Sequence, residues 1–451
     1  MKRHLIYLLV AVICCAALPA RCTFAADAKD APPAAATAEQ SAQKDYEDGR
    51  TLFFSGKYKE AAEKFQAAVK ADDAKTIYRL YLAKALRALG QNDDAMTLLV
   101  RIMKENPDNV EAGMALAAIY EEKGKWAEII TLLTPLLDYK HDYTIYHMLA
   151  KANYHQNDMK HARENYEKAI EQNPNAADDH YELGNIYLAE NRYALSAAAY
   201  EKCLALGMDT GILHYKLATA YSNLRNYLGD VGAIVMKDAK LLTIKDNVYV
   251  IEPVPGQENT FVVAPPKSAI FQVARAMEMG LDDPDIRFLR ANIFLGAGLF
   301  DKAYPLYKEI EDKYGLDDKG KPKAEEKALF YHQFAEAAFG MGQYDEFLKL
   351  TQQAVDLQPG TYKPSLVDAY LRVANCKSQA GDQQGYIDFL KKVIELKPDV
   401  ASYHLLLGDA YRDAKDYPNA VMHWKLVLEL EPDRPDRIEI LNMIDQYSKA
   451  K

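Results

Sequence analysis

The stretches AKANYHQNDMKHARENYEKA, residues 150–169, and GNIYLAENRYALSAAAYEKC, residues 184–203, carry one spacing, 34 residues apart. A small residue (Ala150, Gly184) is followed twelve positions later by another (Ala162, Ser196), four later by a tyrosine (Tyr166, Tyr200) and three later by Ala169 or Cys203. Steps of four and three keep residues on one face of a helix, so the last three positions belong to one helical stripe. The pattern recurs ten times, as in Gly49–Ala61–Phe65–Ala68, Ala83–Ala95–Leu99–Ile102, Ala291–Ala303–Tyr307–Ile310 and Gly408–Ala420–Trp424–Val427. The small residue opens room for a second helix, and the aromatic of that helix fills the groove.

Turn signals fall where the helices must reverse, at Ser55-Gly56-Lys57, Leu89-Gly90-Gln91, Lys123-Gly124-Lys125, Met341-Gly342-Gln343 and Ala380-Gly381-Asp382. Pro107, Pro174, Pro359, Pro398 and Pro432 are expected just beyond second helices, where a missing N–H and a fixed φ stop propagation. The spacing resembles the tetratricopeptide repeat, a helix–turn–helix unit of 34 residues. The resemblance implies an all-α fold, a tetratricopeptide-repeat α-solenoid wound as a right-handed superhelix of about ten helix pairs. One such unit cannot bury its apolar face alone, so neighbours must stack.

The register divides the chain as follows. Residues 42–227 hold repeats one to five and the first helix of repeat six, and residues 267–434 hold the second helix of repeat six and repeats seven to ten. Between them, residues 228–266 form an insertion. Leu241–Ile244 and Val248–Ile251 are aliphatic runs separated by Lys245-Asp246-Asn247, and Phe261–Ala264 supplies a third run. Flanking prolines exclude helix, so a small β-hairpin or meander projecting from the stack is expected, with strand edges open to a partner. A stack needs nothing between Tyr227 and Lys267, so replacing residues 229–266 by a short turn should leave the helices intact. Asp317–Pro322 reads as a polar loop, Pro359–Pro364 as a lengthened junction, and residues 435–451 as a capping helix.

The N-terminus has its own logic. Lys2-Arg3 precede the uncharged run Leu5–Leu18, and small residues follow up to Ala26-Asp27-Ala28, which reads as a signal peptide over residues 1–25. Residues 26–41 are Ala/Pro-rich and read as a flexible tether. Arg21 stands before Cys22 where a lipobox has Gly or Ala, which argues against lipidation. Losing residues 1–25 removes three cations and no acid, so a chain of net charge −10 becomes more negative still. Such a surface repels phosphate backbones and argues against nucleic acid as the partner.

The sequence carries no Gly-rich phosphate loop, H-E-x-x-H, G-x-S-x-G or C-x-x-C. No catalytic residue, metal site or cofactor is expected. His147 and His155 share a helical face but lie about 12 Å apart along it, too far to share a metal. His180, His214 and His404 occupy the fourth position of a repeat and read as packing residues.

In the family that the spacing resembles, the second, fifth, ninth, twelfth and thirteenth residues of each first helix line a concave groove. Carried over by position, the resemblance implies a groove of Tyr46, Arg50, Lys84, Arg87, His147, Lys151, Tyr154, Tyr181, Asn185, Tyr215, Thr219, Asn223, Phe288, Asn292 and Asn375. Asn185, Asn292 and Asn375 fall at the ninth position, where some members use Asn to hold peptide backbone or a terminal carboxylate. The basic residues are scattered over repeats one, two and four, so a carboxylate clamp is incomplete. The reading that follows is an exported, non-enzymatic scaffold binding a protein or peptide in the periplasm or cell envelope, with the membrane reached only through an uncleaved signal or a partner. The alternative is a carbohydrate-binding solenoid whose groove tyrosines stack on sugar rings.

Overall fold

The computed structural model describes residues 33–235, 244–245, 248–314 and 324–449. The expected signal peptide, residues 26–32 of the tether, Leu241–Thr243, Asp246-Asn247 and the 317–322 loop lie outside the described residues. The chain divides at Asn157/Asp158 into two compact units, within the fourth sequence repeat.

The first unit holds α1 (Pro33–Phe54), α2 (Tyr58–Ala71), α3 (Thr76–Ala88), α4 (Asn92–Glu105), α5 (Val110–Glu122), α6 (Trp126–Leu133) and α7 (Tyr143–His155). Residues 33–41, read as tether, instead form the start of α1. Alanine is the strongest helix former, and Pro33 stands first in the helix, where its missing N–H has no partner to lose. Each first helix closes with a residue of positive φ. At Gly90 (φ 76°), the N–H of Gly90 reaches Arg87 O at 2.8 Å and that of Gln91 reaches Leu86 O at 2.9 Å, satisfying two terminal carbonyls. Pro135 ends α6 in a short 3-10 turn, Pro135–Asp138.

The second unit opens with α8 (Met159–Gln172), α9 (Ala177–Ala189), α10 (Tyr193–Ala205) and α11 (Gly211–Asn223). After the insertion come α12 (Ala269–Glu278), α13 (Pro284–Gly296), α14 (Phe300–Tyr314), α15 (Ala324–Gly340) and α16 (Tyr344–Leu357). The unit ends with α17 (Pro359–Gln379), α18 (Gln383–Leu396), α19 (Ala401–Asp413), α20 (Tyr417–Leu430) and α21 (Arg437–Ser448). Residues 359–364 are not an extended junction. They are the first turns of α17: Pro359 occupies the first helical position, where its missing N–H has no partner to lose, and Pro364 lies inside the helix and forgoes one hydrogen bond.

Pairing follows the spacing. A Cβ on Gly184 would come within 2.5 Å of the Tyr200 ring, one on Gly49 within 2.8 Å of Phe65, and one on Gly408 within 2.7 Å of Trp424. Each aromatic therefore lies directly on the small residue sixteen positions before it. Phe65, Tyr200 and Trp424 are fully buried there.

The insertion is a four-stranded antiparallel sheet of β1 (Gly232–Val235), β2 (Ile244–Lys245), β3 (Val248–Pro253) and β4 (Thr260–Ala264), in the order β1-β4-β3-β2. The sequence did not announce β1, a short strand with no alternating pattern; it pairs with β4, so the edges of the sheet are β1 and β2. Nor does the sheet stand clear of the helices. Tyr249, Ile251 and Ala264 are buried in one core with α11, α12 and α13, and Arg290 of α13 donates to the Tyr249 hydroxyl at 3.1 Å. Val250 and Val263 face the other way into a small core of their own. The stem is closed by backbone bonds from Ala269 N to Asn226 O (3.0 Å) and from Ile270 N to Tyr227 O (2.9 Å).

Candidate functional site

In the first unit, the first helices α1, α3, α5 and α7 leave an open groove of about 810 Å³. Its floor is apolar, with Phe53, Ala83, Met114, Ala115, Ala118 and Met148. Helical spacing explains the lining, since residues three and four apart on each helix present the same face. Lys84, Arg87 and His147 line it as the position rule implied. Polar walls stand on both sides and are internally paired. Lys84 of α3 binds Glu111 of α5, Arg87 Nη2 reaches Glu122 Oε1 at 2.9 Å, and Lys151 of α7 reaches Glu121 at 2.5 Å. Asn92 adds a bond to Glu122 at 2.8 Å. The Arg87 guanidinium holds the Glu122 carboxyl below its ordinary range, so the pair stays ionised. Three cations meet three carboxylates, and the walls are electrically balanced.

The third repeat contributes Met114, Ala118, Glu121 and Glu122, none of which sequence reasoning singled out. They stand at the fifth, ninth, twelfth and thirteenth positions, so the same rule reaches them.

The remaining residues at implied groove positions fall into different environments. Tyr46 is 8% exposed and packs against Tyr78 and Tyr81, with ring centroids 5.0 and 5.4 Å away. Arg50 is exposed one turn further along α1. Tyr154 stands edge-on to His155, which stacks on Trp126 at 4.0 Å. Tyr181 leans on Tyr200, and burial pushes the Tyr215 hydroxyl above its ordinary pKa. Phe288 packs on Phe330 at 5.7 Å. Thr219 and Asn223 turn back to the carbonyls of Tyr215 and Thr219, at 2.9 Å each. Asn375 is exposed.

Asn185 and Asn292 share a construction that the sequence did not reveal. The buried Tyr200 hydroxyl donates to Asn185 Oδ1 at 2.8 Å, and the buried Tyr307 hydroxyl donates to Asn292 Oδ1 at 2.5 Å. Burial raises the pKa of both tyrosines far above the ordinary value, so both remain protonated donors. Asn185 Nδ2 in turn donates to Glu182 at 3.2 Å.

The histidines pack. His214 faces Asp209 Oδ1 at 2.7 Å and also Gln272 Oε1, while His404 and His423 meet through their Nδ1 atoms at 3.0 Å. Among the described residues, no group of three His, Cys, Asp or Glu side chains is placed to hold a metal. A smaller cavity of about 260 Å³ lies between α15 and α17, where Arg372 makes two bonds to Glu336 at 2.6 and 2.9 Å and stacks on Phe339 at 3.9 Å.

Descriptions of the tetratricopeptide repeat match residues 52–119, 86–153 and 180–206, and that of the TPR repeat matches residues 150–190. The chain is a tetratricopeptide-repeat protein. Its repeats are 28% identical over 175 residues to Protein O-mannosyl-transferase TMTC1 of Homo sapiens, covering 38% of this chain and 20% of that one. The chain thus spans about a fifth of that relative's length. DnaJ homolog subfamily C member 3 of Bos taurus is 20% identical over 374 residues, 81% of this chain and 67% of that one. Among solved structures, MamA from Desulfovibrio magneticus RS-1 is 17% identical, with 37% of this chain and 94% of that one covered and a TM-score of 0.35. YrrB, described as a TPR protein with an unusual peptide-binding site, is 20% identical, with 51% and 93% covered and a TM-score of 0.34. The tetratricopeptide repeats carry the solenoid architecture that the spacing implied.

Proposed function

We propose that this chain is an exported, non-enzymatic tetratricopeptide-repeat scaffold that holds another protein of the periplasm or cell envelope, in envelope assembly, secretion or polysaccharide export. The groove of α1, α3, α5 and α7 carries the reading. Its floor of Met, Ala and Phe side chains offers adaptable apolar surface, and its walls are already neutralised, so binding rests on burial of a partner's apolar residues. Methionine suits such a surface because its unbranched side chain re-packs around different partners. Two of the tyrosines that a sugar-binding groove would need are turned to other tasks: Tyr46 is buried in an aromatic cluster and Tyr181 leans on Tyr200. The export part rests on the Lys2-Arg3 and Leu5–Leu18 pattern alone.

A photo-crosslinking side chain placed at Ala115 in the groove, compared in the native host with one at Lys104 on α4, tests the binding reading. Ala115 should capture a defined partner, identified by mass spectrometry, that Lys104 does not. Equal capture at both positions would remove the groove from the proposal. N-terminal sequencing of the protein from its host tests export, with a start near Ala26 or Lys29 expected and an intact Met1 on a cytoplasmic protein excluding it.

A further inference from the structure

Lys84, Arg87 and Lys151 each hold a carboxylate of a neighbouring helix, whereas Arg50 of α1, one turn before the groove residue Phe53, holds none among the described residues. We infer that the groove receives an extended protein segment in which a side-chain carboxylate, flanked by apolar residues, meets Arg50. This rests on the groove reading above and adds the chemistry of the ligand to it.

Arg50 is ordered by aromatic rings. Its guanidinium carbon lies 5.7 Å from the Tyr46 centroid, 5.6 Å from Tyr81 and 6.0 Å from Phe54. Contacts of this kind restrain the long side chain, so less freedom is lost when a ligand arrives. The acids nearest to it on α1 are engaged elsewhere. Glu47 accepts from Gln43 Nε2 at 2.8 Å, Asp45 binds Lys64 at 2.8 Å, and Asp48 faces the same lysine at 3.7 Å. The planar fork of donors is therefore left for a carboxylate, which it matches with two parallel bonds.

Position fixes the rest of the ligand. Tyr81 stands between Arg50 and the groove wall, since Lys84 Nζ lies 5.0 Å from the same ring. Phe53, three residues after Arg50, lines the groove floor. Phe54, against which Arg50 also rests, is 71% exposed. Apolar surface thus continues past the charge as well as along the floor, and a ligand chain has contacts to make on either side of its acidic residue. An aromatic and arginine cluster is also the composition that dominates binding energy at interfaces. Because the walls are balanced, this single cation is the charge filter of the groove.

An array of 12-residue peptides, acetylated and amidated at their ends, probed with the full chain and with Arg50→Gln, tests the inference. Bound peptides should combine Asp or Glu with Leu, Ile, Phe or Met. Changing that acid to its amide should weaken binding by about tenfold for the wild type and by less than about twofold for Arg50→Gln, as loss of one charge-assisted pair implies. Arg50→Gln should melt within a few degrees of the wild type, because Arg50 is exposed and gives up only ring contacts, with no ion pair among the described residues. Equal losses in both proteins, or no acidic preference among the bound peptides, would overturn it. The groove reading fails separately: it falls if Ala115→Arg, which fills the floor, leaves binding of the same peptides unchanged.

Discussion

In the pair α9–α10 the two helices are joined by residues 190–192, and in the pair α11–α12 by residues 224–268. Ser196, Tyr200 and Cys203 of α10 nevertheless occupy the slots that Ala269, Val273 and Ala276 fill in α12, and all six are fully buried. The glycines that follow, Gly207 and Gly280, share the same left-handed conformation, φ 90° and 94°. Register is thus set by small residues facing each other across the pair, and the connection only has to reach. Closing a long loop adds little entropy, which lets an insertion grow here without disturbing the stack. Where α10 places Tyr200, α12 has the smaller Val273, and the sheet adds Tyr249 and Ile251 to the same core.

The strongest test places a charge in each pair. Ser196→Glu and Ala269→Glu should each cost about 3–5 kcal/mol, since an unpaired carboxylate in a filled slot is both desolvated and overpacked. Chemical denaturation reads the loss, and a much milder effect for Ala269→Glu would mean that the long connection loosens its pair.

Replacing residues 229–266 by a short Gly/Ser turn comes next. The helices lose the cover of Tyr249, Ile251 and Ala264, so the variant should be about 2–4 kcal/mol less stable in the same assay. Undiminished stability would make the sheet a passenger of the helical stack.

The regular pair α19–α20 offers a pH contrast. His404 Nε2 donates to Pro398 O at 3.0 Å, which leaves its Nδ1 to accept from His423. Burial and the neighbouring His404 push the His423 pKa down to about 4, from an ordinary 6.5. Between those values the unfolded chain binds more protons than the folded one, so stability present above pH 6.5 is lost as pH falls towards 4. The loss should be about 2 kcal/mol, after allowance for the part of the ring that water reaches. His423→Gln should flatten that slope in unfolding measured from pH 7 to 4.

The smallest effect belongs to one hydroxyl. Tyr249→Phe removes the acceptor for Arg290 and should cost about 1 kcal/mol, as should Tyr307→Phe, which frees Asn292 in a regular pair. Only the first should make residues 248–264 exchange amide hydrogens faster.

These regions also differ in how much of them could be read beforehand. The helix pairs announce themselves because packing demands the same residue sizes at the same spacing, from Gly49 to Val427. The sheet has no such repetition. Val248–Ile251 and Phe261–Ala264 stood out as aliphatic runs, but Gly232–Val235 is short, and pairing order depends on contacts distant in the chain. The α1 start was hidden because Pro33, in an Ala/Pro-rich run, reads as tether yet opens a helix. In the groove, the position rule found Lys84, Arg87 and His147. It was silent on whether a cation already has a partner, because Glu111, Glu121 and Glu122 all stand on α5, across from the cations of α3 and α7. The Tyr200–Asn185 and Tyr307–Asn292 locks span fifteen residues and two helices, a relation visible only once the helices are docked.

The stem of the insertion has a use for protein engineering. Because Asn226 and Tyr227 bond directly to Ala269 and Ile270, the chain leaves and re-enters the helices at the spacing of neighbouring strands. Any module whose own ends lie that close can be spliced into this socket. A reporter domain placed there would be held on two fixed attachment points, with residues of α12 and α13 free to be redesigned as its seat.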